Sequence, residues 1–271
     1  MNPMGRVLLL TLLLPAACAN LAEQDPYPSG RALDDASREI ARQAEREGDY
    51  GLAASMLARL RNQLHAPATL AREQARMLML AGRLDEADEV LNAYLERAPG
   101  DVIGRRQSAN LFLARDLPDA ALVVLDKGQA KDKGTLVNDA QWQNTRGAVL
   151  DRLGRHADAR EAYQSGLAAS PGDVTIIANM AVSFLMSGDR AAALEVIDRL
   201  PLDEVLQAGQ GWNLALVLVA NGRGDQARKI LVSMGRGDSA GGDLGRLAVL
   251  RALPPAELRR ALGPRTLVNA S

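Results

Sequence analysis

Small and large apolar positions in the second half of the chain recur with a fixed period. Gly154, Gly188 and Gly222 stand 34 residues apart. Seven residues before each glycine comes a small residue (Gly147, Ala181, Ala215), and five after each comes an alanine (Ala159, Ala193, Ala227). Tyr163, Ile197 and Leu231 hold the equivalent large apolar position. Self-similarity at such a period marks a stacked-repeat architecture. Small residues let two antiparallel helices approach closely. The glycine ends the first helix as a left-handed cap, and the large residue fills the gap against the next repeat. The clearest copies are 140–173, 174–207 and 208–234. Three weaker copies precede them. Residues 34–67 carry Gly48-Asp49-Tyr50 and Ala53, and residues 68–100 carry Ala75, Gly82, Ala87, Tyr94 and Pro99. Residues 101–134 carry Ser108 and Ala120, with Arg115 in the turn-glycine place and Pro118 opening the second helix.

The expected architecture is therefore all-α, a solenoid of about six helix pairs spanning 34–234, each pair burying its face against the next. The spacing stretches between the third and fourth copies, and residues 129–139 read as a surface loop. The segment 235–271 is expected to hold a capping helix at 243–253, stopped by Pro254-Pro255, a short helix at 256–262 and a frayed tail.

The spacing of small residues, turn glycine and alanine resembles the tetratricopeptide repeat (TPR). Pro171 supplies that pattern's late proline in the 140–173 copy. The resemblance implies a right-handed superhelix. Gly147, Gly154, Ala159, Ala181, Gly188, Ala193, Ala215, Gly222 and Ala227 are its repeat-packing positions here.

The chain opens MNPMGRVLLLTLLLPAA. Arg6, a short apolar run and small residues have the layout of a secretory signal peptide over 1–17. The run is about eleven residues long, against the roughly 20 that a membrane-spanning helix needs. Cys18, the chain's single cysteine, follows Leu14-Pro15-Ala16-Ala17. This resembles a bacterial lipobox, which implies a lipidated Cys18, with Pro15 standing where the pattern prefers leucine. Cleavage after Ala19, within Ala17-Cys18-Ala19, is the competing reading and gives a soluble periplasmic protein. Ala19 stands where an inner-membrane retention signal would carry Asp, which implies anchoring in the outer membrane, facing the periplasm. Residues 18–33 are then the lipidated cysteine and a tether.

Composition narrows the function. Lys plus Arg is 32 and Asp plus Glu 33, so no overall positive field draws a phosphate backbone. Aromatics are 3%, too few for base-stacking platforms, and no nucleic-acid partner is expected. One Cys and two His exclude a Cys/His zinc site. No P-loop, H-E-x-x-H or dinucleotide fingerprint occurs. His65 and His156 fall in or near repeat turns and read as exposed histidines without special role. No catalytic residue, metal, cofactor or small-molecule substrate is expected, and the chain reads as a non-enzyme.

What remains is a groove. In TPR superhelices the first helix of each pair lines the concave side. The matching positions give Arg38, Arg42, Arg72, Arg76 and Arg105 in the first three copies, a ladder suited to bidentate carboxylate contacts. A solvated polar face, offset by Glu39, Glu45 and Glu73, is the alternative. In the last two copies these positions are apolar, including Leu185, Met186, Trp212 and Leu216. They suit an amphipathic helix or an apolar strand of a partner, or else they lie beneath the capping helix. Trp142 reads as packing ahead of binding.

The runs NTRGAVLDRLGRHADAREAYQSGLAASPGDV, NMAVSFLMSGDRAAALEVIDRL and WNLALVLVANGRGDQA, with LAVLRAL near the end, resemble the TadD family. These are the TPR lipoproteins of the tight-adherence (Flp) pilus assembly system. The resemblance covers residues 140–253, and the remainder by layout alone. It implies a non-enzymatic assembly factor with protein partners, the outer-membrane secretin or other pilus-assembly components, and a membrane contact through the lipid anchor. A TPR adaptor lipoprotein that recruits envelope proteases or cell-wall enzymes is the alternative.

Overall fold

The computed structural model describes residues 30–63, 66–131, 136–198, 200–237, 239–254, 257–258 and 261. Cys18, the signal segment, most of the tether and His65 lie outside them. Within the described residues the regular structure is helical, without strands. The helices are α1 Gly30–Glu47, α2 Tyr50–Arg61, α3 Thr69–Leu80, α4 Leu84–Arg97, α5 Val102–Ala114, α6 Pro118–Lys131, α7 Ala140–Arg152 and α8 His156–Ala169. They continue as α9 Val174–Met186, α10 Arg190–Ile197, α11 Leu202–Gln207, α12 Gly211–Ala220, α13 Gly224–Ser233 and α14 Ala240–Ala252. Apart from α10 and α11, each helix packs on the next in sequence, and α3, α5, α7, α9 and α12 also pack on one another in series. The protein is an all-α solenoid of the TPR type.

Turn chemistry sets this rhythm. Gly154 and Gly188 have φ of +78° and +89°, which costs glycine no Cβ clash. The residue beyond each donates its N–H back five residues, Arg155 to the Leu150 carbonyl at 2.9 Å and Asp189 to the Phe184 carbonyl at 2.9 Å. These bonds close the free carbonyls of α7 and α9. In the third copy Arg115, expected in the turn, is instead the C-cap of α5, and Asp116 takes the left-handed backbone at φ +58°. Short polar Asp tolerates that region better than most residues. Arg115 is thereby free to reach back to α4, to Asp88 at 2.8 Å and Asp85 at 2.6 Å. At the other ends, the side chains of Asp101, Asp139 and Asp173 accept first-turn N–H groups of α5, α7 and α9.

The interior is lined by the expected small residues. Ala159, Ala181, Ala193, Ala215 and Ala227 are fully buried, and Gly147 meets the ring of Tyr163. Two large apolar clusters run along the stack, one from Ala41 to Leu111 and one from Ala109 to Leu258, with a third about Tyr163 and Ile176.

Four expectations change. The last residues of the expected tether, 30–33, already belong to α1. The expected loop 129–139 is partly structured. α6 runs through Lys131, and a 3-10 turn at Leu136–Asn138 buries Leu136, whose carbonyl accepts from Gln143 Nε2 at 3.1 Å. The second helix of the 174–207 copy is broken into α10 and α11, because Pro201 lacks an N–H to continue the ladder and serves as the N-cap of α11. The capping helix begins earlier than expected, at Ala240. Of the short helix expected at 256–262, residues 257–258 and 261 are described and are helical.

Candidate partner-binding groove

The arginine ladder divides into two groups. Arg38 and Arg42 on α1 and Arg76 on α3 border a cleft of about 480 Å³, floored by Ala41, Leu57 and Met77. Arg76 Nη2 pairs with Glu45 Oε1 across the cleft at 2.6 Å, and Arg42 lies 3.5 Å from Glu39 on its own helix. Arg38 is exposed and forms no ion pair among the described residues. The cleft thus sets three arginines above an apolar floor, with Glu45 and Glu73 also lining it, and its pairs are exposed enough for a competing carboxylate to exchange into them.

Arg72 and Arg105 do not join it. Arg72 is drawn inward, its side chain 18% exposed, with Nε 3.2 Å from Asp101 Oδ2. Its guanidinium stands 6.0 Å from the Tyr94 ring, and Tyr94 OH donates to the same Asp101 oxygen at 2.8 Å. Burial, with Asp101 beside it, holds the Tyr94 hydroxyl above its ordinary pKa. Arg105 donates through Nε to the Pro99 carbonyl at 2.9 Å. Both arginines fasten the second repeat to the third.

The apolar set is corrected further. Leu185, Met186 and Leu216 are only 3, 1 and 1% exposed. They belong to the core, where Leu244, Leu247, Leu250 and Leu253 of the capping segment pack against the same cluster. Trp212 is half-buried, with the Arg236 guanidinium 6.0 Å from its ring. A pocket of about 320 Å³ persists between Leu185, Leu216 and Ala220 on one side and Leu250, Leu253 and Leu258 on the other. Trp142 is fully buried against α6, where its ring approaches Gly128.

The reading of His156 as a turn residue without a role also fails. Its side chain is 13% exposed, and Nδ1 lies 2.8 Å from Asp151 Oδ1. Asp151 is fully buried and also accepts from Ser183 Oγ at 2.7 Å and Tyr163 OH at 3.0 Å. Burial pushes the Asp151 carboxyl above its ordinary pKa, against the opposing pull of its three donors. Burial and then the neighbouring Asp151 push the Tyr163 hydroxyl well up. Ser, His and Asp meet here without a nucleophile–base contact, since the serine donates to the carboxylate. The cluster ties α7, α8 and α9 together. The one sequence signal for it was an Asp four residues after Gly147, on the helix face that meets α8.

A second polar seam follows the first helices of the last repeats. Asn179 Nδ2 donates to Asn144 Oδ1 at 2.9 Å, and Asn213 Nδ2 to Asn179 Oδ1 at 3.4 Å, all three residues being buried. Among the described residues, no group of three or more His, Cys, Asp or Glu is placed to hold a metal ion. No described helix is long and apolar enough to cross a membrane.

Residues 152–210 match the tetratricopeptide-repeat family model. Among solved structures, MamA from Desulfovibrio magneticus RS-1 (its residues 41 to the end) is 17% identical, covering 62% of this chain and 92% of that one, with TM-score 0.48. MamA from AMB-1 is 19% identical, over 61% of this chain and 95% of that one, with TM-score 0.42. MamA from MSR-1 is 19% identical, over 61% and 92%, with TM-score 0.44. No curated protein matches. Residues 152–210 are thus of tetratricopeptide-repeat type, set in a stacked-helix solenoid of the kind that presents extended surfaces to other proteins.

Proposed function

We propose that this protein is a non-enzymatic scaffold of an envelope-spanning tight-adherence (Flp) pilus machine. It is anchored in the outer membrane through lipid on Cys18, and its repeats face the periplasm. It engages the secretin or its partners through the cleft between α1 and α3. The observation that carries this reading is that cleft: Arg38, Arg42 and Arg76 stand over Ala41, Leu57 and Met77, matched to a partner segment with acidic and apolar residues side by side. The runs within 140–253 that resemble TadD, and the order of signal, cysteine, tether and repeats, support the choice of machine.

The test joins the two ends of the chain. Envelope extracts from cells carrying the wild type are expected to yield pilus-assembly components in a pull-down, with the protein in the outer-membrane fraction and labelled by fatty acid. Cys18→Ser should abolish the label and release the protein. Arg42→Glu with Arg76→Glu should lose the partner and keep the anchor. A mature wild-type protein that begins at Asn20 and is soluble would refute the anchor. Capture undiminished by the two arginine changes would refute the cleft.

A further inference from the structure

We infer that α14 is a displaceable lid, and that the apolar surface it covers is a second docking site, for an amphipathic helix of a partner. The inference stands apart from the pilus reading and from the arginine cleft, because it rests on different elements.

Three observations carry it. First, α14 is weak as a helix. Gly241, Gly242 and Gly245 lie in its first half, and a Cβ added at any of them meets nothing within 4 Å. Packing therefore does not require these glycines, and each weakens the helix relative to alanine. Second, beyond its leucines α14 is held by few polar contacts. Arg236, in the segment that enters the helix, makes a two-pronged contact with Asp243, Nε to Oδ2 at 2.7 Å and Nη2 to Oδ1 at 3.0 Å, and Arg190 Nη2 donates to the Arg251 carbonyl at 2.9 Å. The chain enters the helix through Gly235-Arg236-Gly237, with Gly235 at φ +73°. Third, the fit is incomplete. Leu247 is fully buried, yet the pocket of about 320 Å³ remains where Leu250 and Leu253 face Leu185 and Leu216.

A weak helix over an underfilled apolar surface opens as a unit while the rest stays folded. The occupant is set by what already sits there. It is a helix with apolar residues at the spacing of Leu244, Leu247 and Leu250, bearing a bulkier apolar side chain at the last position, where the pocket has room. Such a helix has the differential affinity that shifts the lid to its open state.

Hydrogen exchange on the full chain tests the opening. The amides of α14 are expected to exchange at least tenfold faster than those of Leu214–Ala220 in α12. A labelled synthetic peptide of residues 240–253 carrying Leu250→Phe tests the docking, by fluorescence anisotropy. Gly241→Ala, Gly242→Ala and Gly245→Ala together, with the fold checked by circular dichroism, should slow exchange in α14 and weaken the peptide at least tenfold. Asp243→Ala should tighten it. Protection of α14 equal to that of α12 overturns the lid. A peptide that fails to bind, or binds the triple variant as well as the wild type, overturns the docking site. Concentration-dependent dimers of the wild type without peptide, abolished by the triple variant, would assign the surface to α14 of a second copy and overturn the partner-helix reading.

Discussion

Gly147→Ala is a small change with a large expected cost. On an open helix the added methyl would stabilise by about 1 kcal/mol. At this position the new Cβ falls 2.7 Å from Tyr163 Cδ1 and 2.7 Å from Cζ, with Cε1 nearer still. Ordinary carbon contacts begin near 3.5 Å, so the ring must retreat by almost an ångström. It has nowhere to go. Tyr163 is fully buried, and its hydroxyl donates to Asp151 at 3.0 Å. Overpacking of this kind costs about 1–3 kcal/mol, and disturbing a hydrogen bond to a charged group adds about 1.5–3 kcal/mol. After the helix gain is set against these, the net loss is about 1.5–5 kcal/mol. At about 2–4 °C per kcal/mol for a chain of this size, Tm should fall by roughly 3–20 °C, read by circular dichroism. A second measurement isolates the cause. In a Tyr163→Leu background, which makes room, Gly147→Ala should cost less than in the wild type, the excess being the coupling between the two residues. Equal costs in the two backgrounds, or a Tm that rises on the single change, would refute the helix–helix contact as described.

Three further outcomes follow from the same interior. Because burial raises the folded pKa of Asp151 above its unfolded value, its contribution favours the fold most below the ordinary carboxylate range and is lost as pH rises through the raised value. The Tm difference between Asp151→Asn and wild type, followed across mildly acidic pH, should therefore move in the variant's favour as pH rises; a pH-independent difference would contradict the assignment. Asp151→Ala, which strands three donors, should cost about 3 kcal/mol in denaturant unfolding, whereas a loss below about 1 kcal/mol would mean that the cluster holds nothing together. Leu216→Ala should cost about 2–5 kcal/mol as a core truncation, and an unchanged unfolding midpoint would return Leu216 to the surface set. For the cleft, Arg42→Glu with Arg76→Glu should slow partner association and weaken its salt dependence, with dissociation little changed; an effect confined to the off-rate would point to a different contact.

How far the sequence disclosed this molecule depended on the range of the interactions. The period of Gly154, Gly188 and Gly222 is a local property, because a left-handed cap is decided within one turn, and the helix pairs followed from it. Asp116 was missed as the turn residue because Asp adopts that backbone without the signature of glycine. The groove was legible in part. Arg38, Arg42 and Arg76 face solvent around one cleft, but the side chains of Arg72 and Arg105 found Asp101 and the Pro99 carbonyl, partners that position in a repeat does not specify. Leu185, Met186 and Leu216 were apolar at groove positions for a reason that sequence alone left open, namely the return of α14 onto the last two repeats. Asp151 escaped notice because its burial arises from two helices at once.

The asparagine seam has a consequence for how such a chain grows or shrinks over generations. Asn179 and Asn213 each donate to the asparagine of the copy before, Asn144 and Asn179. Duplicating or deleting one unit between these asparagines would still set asparagine against asparagine, so the seam tolerates changes in copy number. The Asp151 cluster does not share that freedom. One and two periods onward its position is held by Leu185 and Val219, so the joint between the fourth and fifth copies is unlike the others. A recombination event that shuffled these two units would separate a buried carboxylate from Ser183, its one donor in the next copy. Of all the seams in the stack, this is the one expected to stay fixed in order while the length of the array around it varies.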